Sequence, residues 1–172
     1  MKVITAPEEY LKEGKETSVF LAGGITNCSE WQKSIIDYFN KQSNTDNLVL
    51  FNPRRDTFDV GNPTAAMRQI IWEYKYIEKA DIFSMYFDNS TTSDQPICMY
   101  ELGRNIVRMQ QRFPNDWEDR IIITVEPGYK REKDVEIQVD LATNGKLKIR
   151  KGLTMHGPAI SSAYARLNNS KY

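Results

Sequence analysis

Ala80-Asp81-Ile82-Phe83-Ser84-Met85-Tyr86-Phe87, followed by a polar loop and then Met99-Tyr100-Glu101-Leu102-Gly103-Arg104, decides the fold of this chain. The first run reads as a buried strand. The loop ends in Gln95-Pro96, and a proline there suits the opening turn of a helix. That helix carries Glu101 in its opening turns. In an open α/β sheet, ligands bind in the crevice outside the strand carboxyl ends. A glutamate delivered there is a candidate nucleophile or acid–base group.

On both sides the same alternation recurs. Ser18 to Ala22 is a short apolar strand closed by Gly23-Gly24. A helix over about Glu30 to Lys41 follows, with the apolar stripe Trp31, Ile35, Tyr38 and Phe39. Leu48 to Phe51 is a second strand, ended by Asn52-Pro53, and Arg54 to Asn62 is a polar loop with Phe58 inside it. Pro63 opens a second long helix whose expected core stripe is Met67, Ile70, Tyr74 and Ile77. After the strand over Asp81–Phe87, the helix from Pro96 carries Met99, Leu102, Ile106 and Met109. Pro114 to Asp119 breaks the chain, and Arg120 to Val125 is a fourth strand.

Beyond it, Val135, Ile137, Val139 and Leu141 suit either a strand of a hairpin turning at Asn144-Gly145, or a helix capped by Gly145 and followed by a strand. A last helix covers about Pro158 to Leu167. Residues 1–17 read as a loose lead-in and 168–172 as a frayed tail of one domain spanning 1–172. Strand–helix alternation with near-continuous apolar strands predicts a mainly parallel sheet covered on both faces. The expected class is α/β, a flavodoxin-like or Rossmann-like three-layer sandwich.

Composition narrows the partners. Lys+Arg and Asp+Glu both number 23 in 172 residues, which argues against a broad nucleic-acid footprint. No apolar run approaches the ~20 residues of a membrane span, and Met1 to Glu16 lacks the apolar core of a signal peptide. A cytoplasmic protein is expected. Cys28 and Cys98 form no CxxC, so they read as free thiols. With His156 the only histidine, no zinc-ligand spacing exists. Cys28, Cys98 and His156 read as packing or surface residues.

Several segments, taken in order, resemble the nucleoside 2-deoxyribosyltransferase family, and more closely its deoxyribosyltransferase-like branch from bacteria and phages. They are Phe20-Leu21-Ala22-Gly23-Gly24-Ile25, Asn52-Pro53-Arg54-Arg55-Asp56, Trp72-Glu73 leading to Ala80-Asp81, and Glu101-Leu102-Gly103. Val125-Glu126-Pro127-Gly128-Tyr129 and Asp134-Val135 also look like that branch, which favours a helix over residues 135–143. The likeness covers roughly Val19 to Glu136. It implies a flavodoxin-like fold and cleavage of the N-glycosidic bond of a 2′-deoxynucleoside or its monophosphate. The sugar then passes to another base or to water. It also implies a homo-oligomer whose site a neighbouring subunit completes.

Breaking a C–N glycosidic bond leaves positive charge on the anomeric carbon and negative charge on the departing base, and two carboxylates answer both demands. Glu101 matches the family's catalytic glutamate and is the expected nucleophile, with the helix dipole favouring its ionised form. Glu73 is the second carboxylate, for proton handling or sugar positioning, with a pKa raised by burial. Its surface alternative is a pairing with Lys75 or Lys79. Asp81 is expected to end the second helix, away from the crevice. The family has an aspartate six residues before the nucleophile; here Gln95 stands at that position, with Asp94 one place earlier. Both are candidate sugar-binding residues. Gly23, Gly24 and Asn52 are candidate substrate contacts, and Arg54 and Arg55 a fork for phosphate or a carboxylate. Phe58, Trp72 and Tyr86 suit base stacking or the core. Trp117 and Tyr129 are candidate interface aromatics. No metal or organic cofactor is expected. The alternatives are a glycosidase for another nucleotide such as NAD, and a nucleotide-binding module without catalysis.

Overall fold

A computed structural model of the protein describes residues 1–57, 61–90 and 92–169, apart from the side chains of Pro63 and Asn169. Phe58 and the tail from 170 onward lie outside the described residues.

Six strands form one parallel sheet: β1 (Lys2–Thr5), β2 (Thr17–Gly23), β3 (Leu48–Asn52), β4 (Ile82–Phe87), β5 (Ile121–Val125) and β6 (Arg150–Lys151). Their spatial order is β1-β3-β2-β4-β5-β6. Strands β2 to β6 thus follow the flavodoxin order 2-1-3-4-5. The expected sandwich is present, with one strand added at the edge. That strand is a correction: residues 2–5 are not loose lead-in but pair with β3, from Lys2 opposite Val49 to Thr5 opposite Asn52.

Among the described residues, five α-helices cover the sheet: α1 (Trp31–Asn40), α2 (Pro63–Lys79), α3 (Pro96–Arg112), α4 (Glu132–Thr143) and α5 (His156–Asn169). Strand alternation divides the core. Phe20 and Ala22 of β2 join Trp72, Tyr76, Leu102, Ile106, Val135 and Val139 on one side. Val19 and Leu21 join Trp31, Ile35, Phe39, Ile160 and Ala163 on the other. All six residues of β4 are buried, as a strand covered on both faces requires.

Local chemistry sets the helix ends. Asn62 caps α2, its side chain accepting from the N–H groups of Thr64 at 2.9 Å and Ala65 at 3.3 Å, with Pro63 in the first turn. Asn144 adopts a left-handed conformation and Gly145 has φ +74°. The Asn-Gly pair therefore ends α4 rather than turning a hairpin. The strand that follows is only Arg150–Lys151.

The stripe read for α2 is also corrected. Met67, Ile70 and Tyr74 are 62, 65 and 57% exposed, and Ile77 alone of the four is buried. The core side of α2 is built by Trp72, Tyr76 and Ile77 instead. Its far end is tied to α3. Arg108 donates to the carbonyls of Ile77 (2.7 Å) and Glu78 (3.1 Å), and Arg112 to those of Glu78 (2.7 Å) and Ala80 (3.0 Å). These donors satisfy carbonyls that every helix leaves open at its C-terminus.

Trp117 and Tyr129 are buried, not interface aromatics. His156 is fully buried between the hydroxyls of Ser84 (2.7 Å) and Thr124 (2.8 Å). Burial pushes its pKa down to about 3, so it is a neutral packing residue.

Candidate active site

The strand order reverses direction between β2 and β4, the switch point where ligands bind in sheets of this kind. A cavity of about 230 Å³ opens there, lined by Phe20, Ala22, Gly23, Gly24, Ile25, Thr26, Pro53, Glu73, Ser93, Gln95, Pro96, Ile97, Cys98 and Glu101. A second cavity of about 390 Å³ adjoins it and shares Ile25, Thr26, Pro53 and Glu73. Arg55, Ala66, Gln69 and Ile70 complete its wall. The first suits a sugar by size, and the second has the apolar wall that a flat base requires.

Glu101 and Glu73 reach this cavity from different helices. Glu101 stands in the second turn of α3, so the helix dipole, which acts within the first turn, does not govern it. Burial does. Desolvation, with the Glu73 charge adding to it and the Arg104 guanidinium opposing, pushes the Glu101 carboxyl up to about 7. Burial, rather than the helix dipole, thus sets the charge preference of Glu101, and it favours the protonated form. Burial raises Glu73 too, against the pull of the Gln69 N–H and the Arg55 charge. Gln69 Nε2 donates to Glu73 Oε1 and to the Pro53 carbonyl, both at 2.7 Å. Glu73 thus has a hydrogen-bond donor and a nearby cation that favour its charged form. The carboxylate of Glu101 makes no hydrogen bond or ion pair among the described residues. Lys75, the anticipated surface partner of Glu73, pairs with Glu9 instead.

The glycine turn is required by the protein's own packing as well as by the cavity it lines. A Cβ on Gly23 would strike the Tyr86 carbonyl and the Trp31 ring, and one on Gly24 would strike Cys28 Sγ and Gln95 Oε1.

Other candidates face the protein. Arg54 donates from Nε to Gln32 Oε1 (2.8 Å) and from Nη2 to the carbonyls of Ile25 (3.1 Å) and Ser29 (2.6 Å). It clamps the β2–α1 loop rather than presenting a fork to a ligand. Asn52 exchanges two 3.1 Å hydrogen bonds with the Arg54 backbone. Asp94 pairs with Lys130. Gln95 lines the cavity, but its amide is held by the backbone of Asp88, accepting at 3.1 Å and donating at 2.6 Å. Tyr86 is buried and donates to Glu126 Oε2 at 2.5 Å, and Trp72 donates to the Glu8 carbonyl at 2.7 Å. Neither is placed to stack on a base. Asp81 accepts from Ser18 N–H and Oγ at 2.9 Å at the amino end of the sheet, far from the crevice as expected. Burial raises the pKa values of Cys28 and Cys98, so neither thiol is primed as a nucleophile.

Sequence reading missed Gln69, Asp88 and Arg104. Gln69 was accessible as the residue four before Glu73 on a helix. Asp88 holds Ser29 N–H at 3.1 Å across the crevice, a contact between distant segments that no local pattern signals. Among the described residues no cluster of three or more His, Cys, Asp or Glu side chains could hold a metal, and no helix is long and apolar enough to cross a membrane.

A parallel α/β sandwich with two carboxyl groups meeting in a cavity at its switch point defines the class. A family model described as nucleoside 2-deoxyribosyltransferase like matches residues 16–113, more than half the chain, and the protein belongs to that family. A comparison with curated proteins gives no match.

Proposed function

We propose that this protein is a cytoplasmic enzyme that cleaves the N-glycosidic bond of a 2′-deoxynucleoside or its monophosphate through a deoxyribosyl ester on Glu101. The observation that carries this reading is the placing of Glu73 and Glu101 on one cavity wall, with the Glu101 carboxylate unpartnered. An unpartnered carboxylate keeps its lone pairs for attack.

A Glu101 Oε bonds to C1′ as the C1′–N bond breaks, and the bond's electron pair moves onto the base. Glu73 passes a proton to the base, which leaves neutral. An acceptor base or water then attacks C1′, restoring the Glu101 carboxylate and returning a proton to Glu73. Attack requires Glu101 in its charged form and the proton on Glu73. The smaller cavity takes the sugar and the adjoining one the base. Gly23 and Gly24 form the floor, and Arg55 faces the base side beside Glu73. No step calls for a metal or an organic cofactor. With their side chains held by the protein, Asn52, Arg54 and Gln95 shape the site instead of holding substrate, and Asp94 is engaged by Lys130 at the surface.

We further propose that the enzyme works as a homo-oligomer. Met67, Ile70, Ile71, Tyr74, Ile97 and Tyr100 are all more than half exposed on α2 and α3, beside the cavities. Fully burying an apolar side chain is worth ~1.5–3 kcal/mol. A second copy covering this face would also shut the base side from solvent.

The test is incubation with deoxynucleosides, their monophosphates, ribonucleosides and NAD, with and without a free base. Base release is followed by chromatography and the protein by intact mass. Release from the deoxy substrates, a deoxyribosyl adduct on the wild type, and a loss of at least ~10³-fold in Glu101→Ala are expected. Full turnover by Glu101→Ala removes the mechanism. Release from NAD alone moves the reading to another glycoside, and tight nucleotide binding without release moves it to a binding module.

A further inference from the structure

We propose that Arg104 is a positioning residue for Glu101, a cation fixed one helical turn away that supports the charged carboxylate without forming a contact ion pair with it. This rests on the proposed role of Glu101.

Three observations meet at Arg104. Its spacing from Glu101 is i to i+3, which places the two on neighbouring positions of one face of α3. Its guanidinium lies 4.8 Å from the ring centroid of Tyr74 on α2 and 5.9 Å from that of Tyr100. Aromatic faces attract a guanidinium and restrict where it can go. Its Nε is buried and has no hydrogen-bond partner among the described residues, so no acceptor there competes for that side of the group. Arg108 and Arg112, further along the same helix, differ: both donate to carbonyls at the end of α2. Arg104 is held by rings where its neighbours are held by carbonyls.

The charged and titratable groups that bear on Glu101 are Glu73 from α2 and Cys98 and Arg104 on its own helix, with Arg55 acting on Glu73. β2 contributes only Phe20, Ala22 and the glycine turn to the cavity wall. Arg104 is the cation that acts on Glu101 directly among the described residues. A contact pair would occupy the carboxylate lone pairs with N–H donors and blunt the nucleophile. A cation held back by Tyr74 lowers the cost of the charge while leaving both oxygens free for C1′. The arrangement thus answers a problem that the cavity itself creates.

The test is a carboxyl-detected NMR titration of protein carrying 13C-labelled glutamate, with Glu101 assigned by its loss in Glu101→Gln. In Arg104→Met and Arg104→Gln the Glu101 midpoint is expected to rise by ~1 pH unit, and in Arg104→Lys to stay near the wild-type value. The acid limb of kcat/KM should move with it, with KM little changed. Thermal melts identify any variant that fails to fold, and two neutral variants guard against losing one. An unmoved midpoint in a folded neutral variant overturns the proposal. So does an equal rise in Arg104→Lys, because then packing and not charge is responsible. If the midpoint moves as stated but no nucleoside is cleaved, the hold of Arg104 on Glu101 stands and the proposed reaction falls.

Discussion

As the proposed nucleophile, Glu101 meets two opposed demands: attack needs its charge, and a cavity wall penalises charge. The ordinary carboxyl value is 4.5, and the folded value is about 7. A raised folded value means that the native state binds the proton more tightly than the unfolded chain. Its contribution to stability is present below pH 4.5 and is lost as the pH rises through 7. Glu101→Gln removes that loss. The variant should therefore be more stable than wild type at pH 8.5 by on the order of 2 kcal/mol, and equal to it near pH 4.5. Urea midpoints at the two pH values measure this; equal midpoints at pH 8.5 would contradict it. Such a gain, with the loss of turnover that the proposed mechanism requires, is the trade expected where a catalytic role keeps a costly charge in place. At this scale the position of Glu73 and Glu101 at the crevice was legible in the sequence, because both stand beside apolar strands and in the family's motifs. The direction of neighbouring polar side chains was not. Arg54, Asp94 and Gln95 sit beside the crevice, and a residue there can turn to a ligand or to the protein. Only the positions of Ser29 and Lys130, brought from distant segments, and of Asp88 at the far end of the same loop decide which.

Among the elements, the β2–α1 loop depends most on others for its shape. It has no hydrogen-bonded frame of its own over residues 25–29 apart from the Cys28 N–H to the Ile25 carbonyl at 3.3 Å. Arg54 from the β3–α2 loop holds the Ile25 and Ser29 carbonyls, Ser90 donates to the Asn27 carbonyl, and Asp88 just after β4 holds Ser29. Hydrogen bonds from charged donors are worth ~1.5–3 kcal/mol each and do not add fully. Arg54→Ala is therefore expected to lower stability by about 2–3 kcal/mol and to weaken substrate binding more than turnover. A denaturant melt and a comparison of KM with kcat check both. A variant with wild-type KM would show that Arg54 does not shape the cavity through this loop. The long elements were readable because each carries many residues of one period. The stripes of α1 and α3 were assigned correctly, the α2 stripe was not, and β1 was missed. α2 has apolar residues on two faces, and periodicity cannot say which faces the sheet. β1 is a four-residue strand whose burial comes from its pairing with β3, not from an apolar run of its own.

For the whole molecule, the second apolar face of α2 is the main unbalanced feature. Met67, Ile70, Ile71 and Tyr74 expose more than half of their surface, and contiguous patches of this kind usually mark contact sites. The proposed oligomer makes the melting temperature depend on protein concentration. Ile71→Glu should abolish that dependence and shift sedimentation to the monomer, with the folded spectrum retained. A wild-type protein that sediments as a monomer at all concentrations would refute the assembly. Fold class was legible from strand–helix alternation alone. Strand order was not, since it is a property of which apolar segments meet across the sheet, and neighbours in sequence say little about that.

The arginine tie between α2 and α3 has a mechanical consequence. Both helices run away from the crevice, and Arg108 and Arg112 pin them together at the far end. Glu101 lies eleven residues from Arg112 on α3, roughly 16 Å along the axis. A rocking of ~4° about that pinned end would swing the Glu101 carboxylate by ~1 Å, a margin that in the proposed reaction separates a productive approach to C1′ from an unproductive one. The helices thus form a pair of tongs: the fulcrum is fixed by guanidinium groups, and the jaws carry the two acids.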